Sequence, residues 1–122
     1  MQLLKTQTPN FNDKIDQFDG SIFLNVGRQI QRISLKSIEY VKGYGDYMKV
    51  RCKEGSHTVH ITMKNLQKIL PSADFYRVHK SYIIRIDKIQ KVSSSHVEVN
   101  EAQIPISRNN KQELLSLIPW VK

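Results

Sequence analysis

The sequence predicts a mainly β domain, with about eight to ten short antiparallel strands and two short helices. Three observations favour this fold class. Short apolar runs alternate with polar residues, turn residues separate the runs, and only two stretches have the period of a helix. At 122 residues the chain has the length of one domain, which can bury a core without disulfides or a metal.

The predicted strands occupy residues 22–26, 29–34, 38–41, 47–52, 57–62, 81–84, 86–92, 96–100 and 103–106. The clearest of them alternates apolar and polar side chains, so that Met48, Val50 and Cys52 share one face. A turn at residues 53–56 then brings the next strand back as its hairpin partner. Pro105 lacks an amide donor, so we expect the last strand to be an edge strand or to be interrupted.

Both predicted helices rest on a capping residue followed by an apolar stripe. Thr62 caps a helix over residues 63–70, which Pro71 ends. Asn110 and Glu113 have the spacing of a capping box, in an asparagine variant, and predict the start of the second helix.

Charge is the most informative part of the composition. The formal net charge is +8 and the isoelectric point is near 9.7. Residues 1–20 contain two of the 19 basic and three of the 11 acidic side chains. Residues 21–122 therefore contain 17 basic and eight acidic side chains. The positive excess therefore belongs to the folded body, which is typical of a nucleic-acid-binding domain. Charge alone leaves open a basic protein with no such partner.

Domain limits and location also follow from the sequence. Residues 1–20 show no clear period and end in an Asp-Gly turn pair, so we interpret them as a linker or N-terminal extension of a domain over residues 21–122. A single cysteine, no signal-peptide pattern and no long apolar run favour a cytoplasmic protein.

Catalytic and metal-binding motifs are missing from the sequence, so we expect neither an enzyme nor a cofactor. His57 and His60 lie three residues apart in a predicted strand, where they point to opposite faces and cannot share a metal. His79 and Ser81 resemble a base and a nucleophile but lack a third orienting group. Cys52 lies on the inward face, which favours a small core residue over a redox switch.

Three basic or polar stretches are candidates for binding an anion. In residues 42–46 two glycines let a ligand approach the backbone, and the ring of Tyr44 can stack on it. Residues 79–81 have a lysine at their centre. Residues 107–111 start a helix, where free backbone amides attract an anion. Each stretch also has a plainer interpretation: an ordinary turn, a loop braced by a structural His79, and a solvated helix cap.

Four segments together resemble the LytTR family of DNA-binding domains. They are Ile38-Glu-Tyr-Val-Lys-Gly-Tyr-Gly-Asp-Tyr-Met-Lys-Val50, Leu70-Pro71, Phe75-Tyr-Arg-Val-His-Lys-Ser-Tyr-Ile-Ile84 and Ile104-Pro-Ile-Ser107. The F-x-R-x-H-x-S-[FY]-[IV]-[IV] element is distinctive, and the order and spacing of all four segments agree with the family across residues 20–120 or so.

The resemblance implies an elongated antiparallel β-sandwich of about ten strands, acting as the DNA-binding output domain of a bacterial two-component response regulator. Loops rather than a recognition helix would enter successive major grooves of double-stranded DNA. Carried over by position, the residues that would face DNA are Tyr44, Gly45, Asp46, Lys80, Arg108 and Asn109. Ser81, Arg85 and Lys111 are further candidates for contacts with phosphates.

Two positions depart from the family pattern and both add charge. Lys42 stands where the family often has an acid, and Arg85 stands where it often has asparagine. Tandem half-sites are common in the family, which implies a homodimer on DNA. Two alternatives remain open from the residues: a signalling module that binds a peptide at a sheet edge, and binding of single-stranded RNA, for which the tyrosines are too scattered.

Overall fold

Ten strands and three α-helices form the described part of the protein, residues 10–122 of a computed structural model. The strands are β1 (Ser21–Val26), β2 (Gln29–Ser34), β3 (Ile38–Tyr44), β4 (Tyr47–Cys52), β5 (Gly55–Val59), β6 (Phe75–His79), β7 (Tyr82–Arg85), β8 (Ile89–Val92), β9 (His96–Val99) and β10 (Ala102–Pro105). The helices are α1 (Phe11–Gln17), α2 (Met63–Ile69) and α3 (Arg108–Ser116). Two 3₁₀ turns lie at Leu35–Ser37 and Ile86–Lys88.

All strand pairs in these residues are antiparallel, and they form two sheets. The large sheet has seven strands in the order β2-β1-β5-β4-β3-β7-β6, and the small sheet has three in the order β10-β9-β8. The predicted mainly β, antiparallel fold is therefore confirmed. The strand with Pro105 is an edge strand of the small sheet, as its missing amide predicts.

Two apolar cores lie on opposite faces of β7. Ile83 belongs to the first core, which β1 to β5 build together with α1 and α2, whereas Ile84 belongs to the second core. The second core contains Val78, residues from all three strands of the small sheet, and Leu114 of α3. The large sheet is thus covered on both faces around β6 and β7, since successive side chains of a strand point to opposite sides. This packing fixes β6, β7 and the start of α3 relative to one another.

Helix α1 is the third helix, where two were predicted. Asn10 caps it by accepting a hydrogen bond from the Asp13 amide (2.8 Å), and Ile15 is buried in the first core. Residues 11–17 therefore pack on the domain instead of forming an extended linker. Residues 1–9 lie outside the described residues, and the proposed domain limit at residue 21 stays a prediction.

Several strand predictions differ from the structure. None of the predicted strands covers β6, and the strand predicted over residues 57–62 lies at Gly55–Val59. Two further differences have reasons that lie elsewhere in the chain. The predicted strand over residues 86–92 starts three residues late, because the Ile86 amide donates to the Asp74 carbonyl (2.8 Å) and the chain forms a 3₁₀ turn first. Strand β3 runs through Gly43 to Tyr44, because it continues to pair with β4 and β7. No helix among residues 10–122 is long and apolar enough to cross a lipid bilayer.

Candidate nucleic-acid interface

The hairpin of β3 and β4 ends in a two-residue turn, Gly45–Asp46, closed by the pair Tyr44 and Tyr47. Gly45 has φ +70°, while Asp46 does not have a positive φ. A positive φ at the first turn position only is the pattern of a type II′ turn, for which glycine is the favoured residue. The sequence therefore builds a tight hairpin whose two turn residues are exposed.

Two aromatic rings and an ammonium group lie beside this turn. The rings of Tyr44 and Tyr47 stack with centroids 5.8 Å apart and planes 13° apart, and both side chains are exposed. The Nζ of Lys42 is 4.9 Å from the Tyr44 centroid and 5.8 Å from that of Tyr82, within the range of a cation–π contact. Hydrogen bonding with Tyr44 and then with Tyr82 raises the pKa of Lys42, so its positive charge is kept.

The turn Lys80–Ser81 joins β6 to β7 and is held from inside. The Ser81 amide donates to Nδ1 of His79 (3.0 Å), and the His79 ring meets the Tyr82 ring edge-on with centroids 5.8 Å apart. Arg77 donates to the Lys80 carbonyl (2.7 Å). The expectation that His79 braces this loop is confirmed. The backbone is thus fixed while the Lys80 side chain remains exposed.

The two turns lie side by side. The Gly43 amide donates a 2.8 Å hydrogen bond to the Ser81 carbonyl, and Lys42 pairs with Tyr82 across β3 and β7. Since β7 is antiparallel to β3, the end of β3 and the start of β7 meet at the same end of the sheet.

Helix α3 begins at this same end of β6. Its cap is Ser107, whose Oγ accepts from the Asn110 amide (3.2 Å), so the predicted cap at Asn110 is wrong. Asn110 instead donates from Nδ2 to the Val78 carbonyl at the end of β6 (2.8 Å). Arg108 and Asn109 therefore lie in the first turn of the helix, where backbone N–H groups have no partner within the helix, and both are exposed.

We call these three segments together the interface end: the turn Gly45–Asp46 with its flanking tyrosines, the turn Lys80–Ser81, and the first turn of α3. Of the nine residues that the sequence assigns to DNA, seven lie in these segments: Tyr44, Gly45, Asp46, Lys80, Ser81, Arg108 and Asn109. Lys111 lies two residues after Asn109 in α3, where it is partly exposed and lines the groove between α3 and β8.

Arg85 does not fit the role predicted for it. It is 8% exposed, and its guanidinium donates to the Leu35 carbonyl (3.0 Å) and to Oδ1 of Asp87 (2.9 Å). The guanidinium also lies 5.3 Å from the centroid of the Phe75 ring. A side chain bound on three sides inside the domain is not available to a phosphate, so Arg85 is a structural residue.

Sequence reasoning left out two residues that shape the interface end. Lys42 was included in a candidate stretch and noted as a departure in charge but was not assigned to DNA, and Arg77 was noted only as part of a motif. Arg77 bridges Gln67 of α2 (3.0 Å) and the Lys80 carbonyl (2.7 Å). Alternation along β3 and β6 indicates which face each side chain is on, but not its distant partners, which are Tyr82 of β7 for Lys42 and Gln67 of α2 for Arg77.

The comparisons with known proteins identify the family of the chain. The family model described as the LytTr DNA-binding domain matches residues 28–118. A sensory transduction protein LytT from Bacillus subtilis is 30% identical over 101 residues, covering 78% of this chain and 42% of that protein. A response regulatory protein from Vibrio cholerae is 26% identical over 91 residues, covering 67% of this chain and 35% of that protein.

A solved structure gives the same fold. The LytTr DNA-binding domain of a putative methyl-accepting/DNA response regulator from Bacillus cereus superposes with a TM-score of 0.68 at 16% identity, covering 83% of this chain and 98% of that one. The fold and the matched segment together define a DNA-binding domain of transcription regulators. The chain belongs to the LytTR family. It spans less than half the length of the curated relatives that it matches.

Proposed function

We propose that this domain binds double-stranded DNA with sequence preference and regulates transcription as the output domain of a response regulator. One observation carries the proposal: three polar segments lie together at one end of the domain, held in place by hydrogen bonds from Gly43 to Ser81 and from Asn110 to Val78. This end presents Lys42, Lys80 and Arg108, with Asp46 as an acid among them. Such a surface attracts a polyanion while holding a few side chains for base edges.

Contacts with the sugar–phosphate backbone fall to Lys80 and Ser81 in this proposal. The Lys80 ammonium is exposed on a turn whose backbone is fixed, so it can neutralise a phosphate without further loss of backbone entropy. The first turn of α3 adds unpaired amides and the positive end of the helix dipole. Lys111 adds charge one step further along α3.

Contacts with base edges fall to Arg108 and Asn109 and to the hairpin turn. Arginine reads guanine in the major groove with two donors, and asparagine reads adenine there with one donor and one acceptor. Asp46 is disfavoured near phosphates but can accept from the amino group of cytosine. Tyr44 offers an exposed, stacked ring for contact with a thymine methyl group or a sugar.

The hairpin turn and the α3 start flank the turn Lys80–Ser81. We therefore propose that the two outer segments enter successive major grooves and that Lys80–Ser81 contacts the backbone between them. Tandem half-sites then follow one another along the duplex, and two copies of the domain bind them as a homodimer. Half-sites one helical turn apart place both copies on one side of DNA.

Selection of bound duplexes from a random pool tests this proposal. We expect one enriched motif, with base preferences in two blocks separated by a less specific stretch, and affinity that falls steeply with salt. Enrichment of no motif, or absence of duplex binding at low salt, would falsify the proposal.

Competition with a selected duplex tests the alternative function, a peptide bound at a sheet edge. The large sheet has the edge strands β2 and β6, and Ile30 of β2 is 73% exposed. A peptide on β2 leaves the interface end free, so it would bind equally in the presence of a selected duplex. Competition between peptide and duplex would place both ligands on the same surface.

A further inference from the structure

A thiol, a carboxylate and an imidazole meet at the other end of β4. Cys52 ends β4, Glu54 lies in the following turn and His57 is in β5. The Sγ of Cys52, a carboxylate oxygen of Glu54 and a ring nitrogen of His57 all lie within 4.8 Å of one another. These are three of the side-chain groups that bind transition metals in proteins.

The hairpin register explains why they meet. Cys52 pairs with Gly55 and Val50 pairs with His57, so Cys52 and His57 are neighbours on the core-facing side of the hairpin. The turn then places Glu54 at the open end of the hairpin. Cys52 is fully buried, His57 is half-buried and Glu54 is exposed, which gives a cation a path from solvent to the thiol.

The size of the cluster suits a tetrahedral zinc ion. Zinc–sulfur and zinc–nitrogen bonds of about 2.3 Å and 2.0 Å place sulfur and nitrogen roughly 3.5 Å apart in a tetrahedron. Ligand atoms within 4.8 Å of one another reach that spacing by a shift of about 1 Å, within the reach of side-chain rotation. The more exposed Glu54 and His57 can make this adjustment while Cys52 stays in place.

A residue of β2 orients the imidazole. Nδ1 of His57 lies 3.5 Å from Nε2 of Gln31, and donor and acceptor roles depend on the histidine tautomer. If the Gln31 side-chain amide is turned by half a rotation, its oxygen takes the place of Nε2, and the Nδ1–H of His57 can donate to that oxygen. Metal-bound histidines in proteins commonly donate their second ring N–H in this way, which holds the ring toward the metal.

We propose that Cys52, Glu54 and His57 bind one Zn²⁺ ion, with a water molecule in the fourth position. Binding converts the Cys52 thiol to a thiolate bound to zinc and releases one proton to solvent. The site joins β4 to β5 and, through Gln31, to β2, at the end of β4 remote from the interface end. It therefore stabilises the hairpin without touching DNA.

The sequence did not predict this cluster because His57 was weighed as a ligand only together with His60. The relevant spacing is Cys-x-Glu-x-x-His, across a turn in which a residue on each strand faces the core. Cys52 was correctly placed in the core, and its pKa is raised by burial, but its neighbours on the hairpin were not considered.

The test uses the untagged, reduced 122-residue chain titrated with Zn²⁺ by calorimetry, and with Co²⁺ by absorption spectroscopy. We expect one ion per chain, thiolate-to-cobalt charge-transfer bands in the near ultraviolet, and a higher unfolding temperature with zinc. Absence of binding at a stoichiometry of one, or cobalt spectra without thiolate bands, overturns the proposal. Neither readout depends on DNA binding, so the two proposals fail independently.

Variants identify the ligands. Glu54→Gln and His57→Gln change residues outside the buried core, and each should weaken zinc affinity by at least about tenfold. Cys52→Ser should remove the thiolate bands. His96→Gln, at an exposed histidine of β9, is the matched control and should bind zinc like the unchanged chain. If Cys52→Ser does not fold, the other two variants decide: unchanged affinity in both contradicts the site.

Discussion

The Gly43 amide donates a 2.8 Å hydrogen bond to the Ser81 carbonyl. This bond joins the end of β3 to the turn between β6 and β7, two segments almost forty residues apart in the chain. A methyl group at Gly43 would lie 3.3 Å from the Cε of Met63 and 3.4 Å from that of Met48, so glycine also allows the methionines to close under the strand. The turn Gly45–Asp46 and the turn Lys80–Ser81 are therefore held at a fixed spacing, as the proposed complex with regularly spaced phosphates requires.

Lys80→Ala should weaken binding to all duplexes to a similar extent. The ammonium contacts a phosphate in the proposed complex, and phosphate contacts do not depend on base sequence. The slope of log affinity against log salt should decrease in magnitude by about one unit. Fluorescence anisotropy with a selected and a scrambled duplex, at several salt concentrations, measures both effects.

Lys36→Ala is the matched control for that loss of charge. Lys36 is exposed in the 3₁₀ turn before β3, at the end of the strand remote from the Gly45–Asp46 turn. It should leave the salt slope nearly unchanged. Equal effects of the two substitutions would mean that net charge, and not the position of Lys80, governs binding.

Asn109→Ala should change which sequence is selected rather than how strongly DNA is bound in general. Its side chain is exposed in the first turn of α3, and it makes none of the hydrogen bonds that fix the helix. Loss of a paired contact with a base should lower discrimination at one base pair by about 1–3 kcal/mol. Repeating the duplex selection with the variant shows this as one weakened position in the motif.

Gln112→Ala, one turn further along the exposed side of α3, is the corresponding control and should retain the complete motif. A motif that is identical for the Asn109 variant and the unchanged domain would remove Asn109 from base recognition. Arg108 would then be the remaining candidate from α3.

Arg85→Met should destabilise the fold and leave DNA binding unchanged. Methionine keeps the apolar stem but loses the hydrogen bonds to the Leu35 carbonyl and to Asp87. The Leu35 carbonyl keeps the hydrogen bond from the Ile38 amide, so the loss is that of bonds from a charged donor, which should lower the free energy of unfolding by about 1.5–3 kcal/mol. Urea denaturation measures the stability, and anisotropy below the transition measures affinity and salt slope. A reduced salt slope in the folded variant would restore Arg85 to the DNA-binding set.

Arg85 also shows where prediction from sequence ends. The alternation of Met48 and Val50 along β4 was readable because a strand's two faces are set locally, and the structure agrees. The partner of Arg85, by contrast, is the Leu35 carbonyl fifty residues away, and no local pattern indicates it. A basic side chain in a basic segment therefore suggested DNA, although its charge is used inside the domain.

The start of α3 illustrates the same limit. Ser107 and Asn110 are both favourable capping residues, so local preference could not choose between them. The choice is made by the bond from Asn110 to the Val78 carbonyl, which requires β6 to be in place. The order of the segments proposed to contact DNA was predictable from the family pattern, whereas the hydrogen bonds that hold them in place depend on tertiary contacts.

Tyr76→Phe should remove a pH-dependent part of the stability in alkaline solution. The Tyr76 hydroxyl donates to Oε1 of Glu113 (2.7 Å), which joins β6 to α3. Burial, and then the hydrogen bond and charge of Glu113, raise the pKa of Tyr76 from 10.0 to about 12. Between these values the unfolded chain has lost the phenol proton while the folded chain retains it, so stability falls as pH rises.

The stabilisation from Tyr76 is therefore fully present below about pH 10 and is lost as pH rises toward 12. At pH 7 the variant should be less stable by about 1 kcal/mol, the usual contribution of one hydrogen bond. The difference in unfolding free energy between the unchanged domain and the variant should shrink across the alkaline range, because lysines titrate alike in both. Urea denaturation followed by circular dichroism from pH 8 to 11 measures it. A difference that is constant with pH would show that Tyr76 does not hold its proton in this contact.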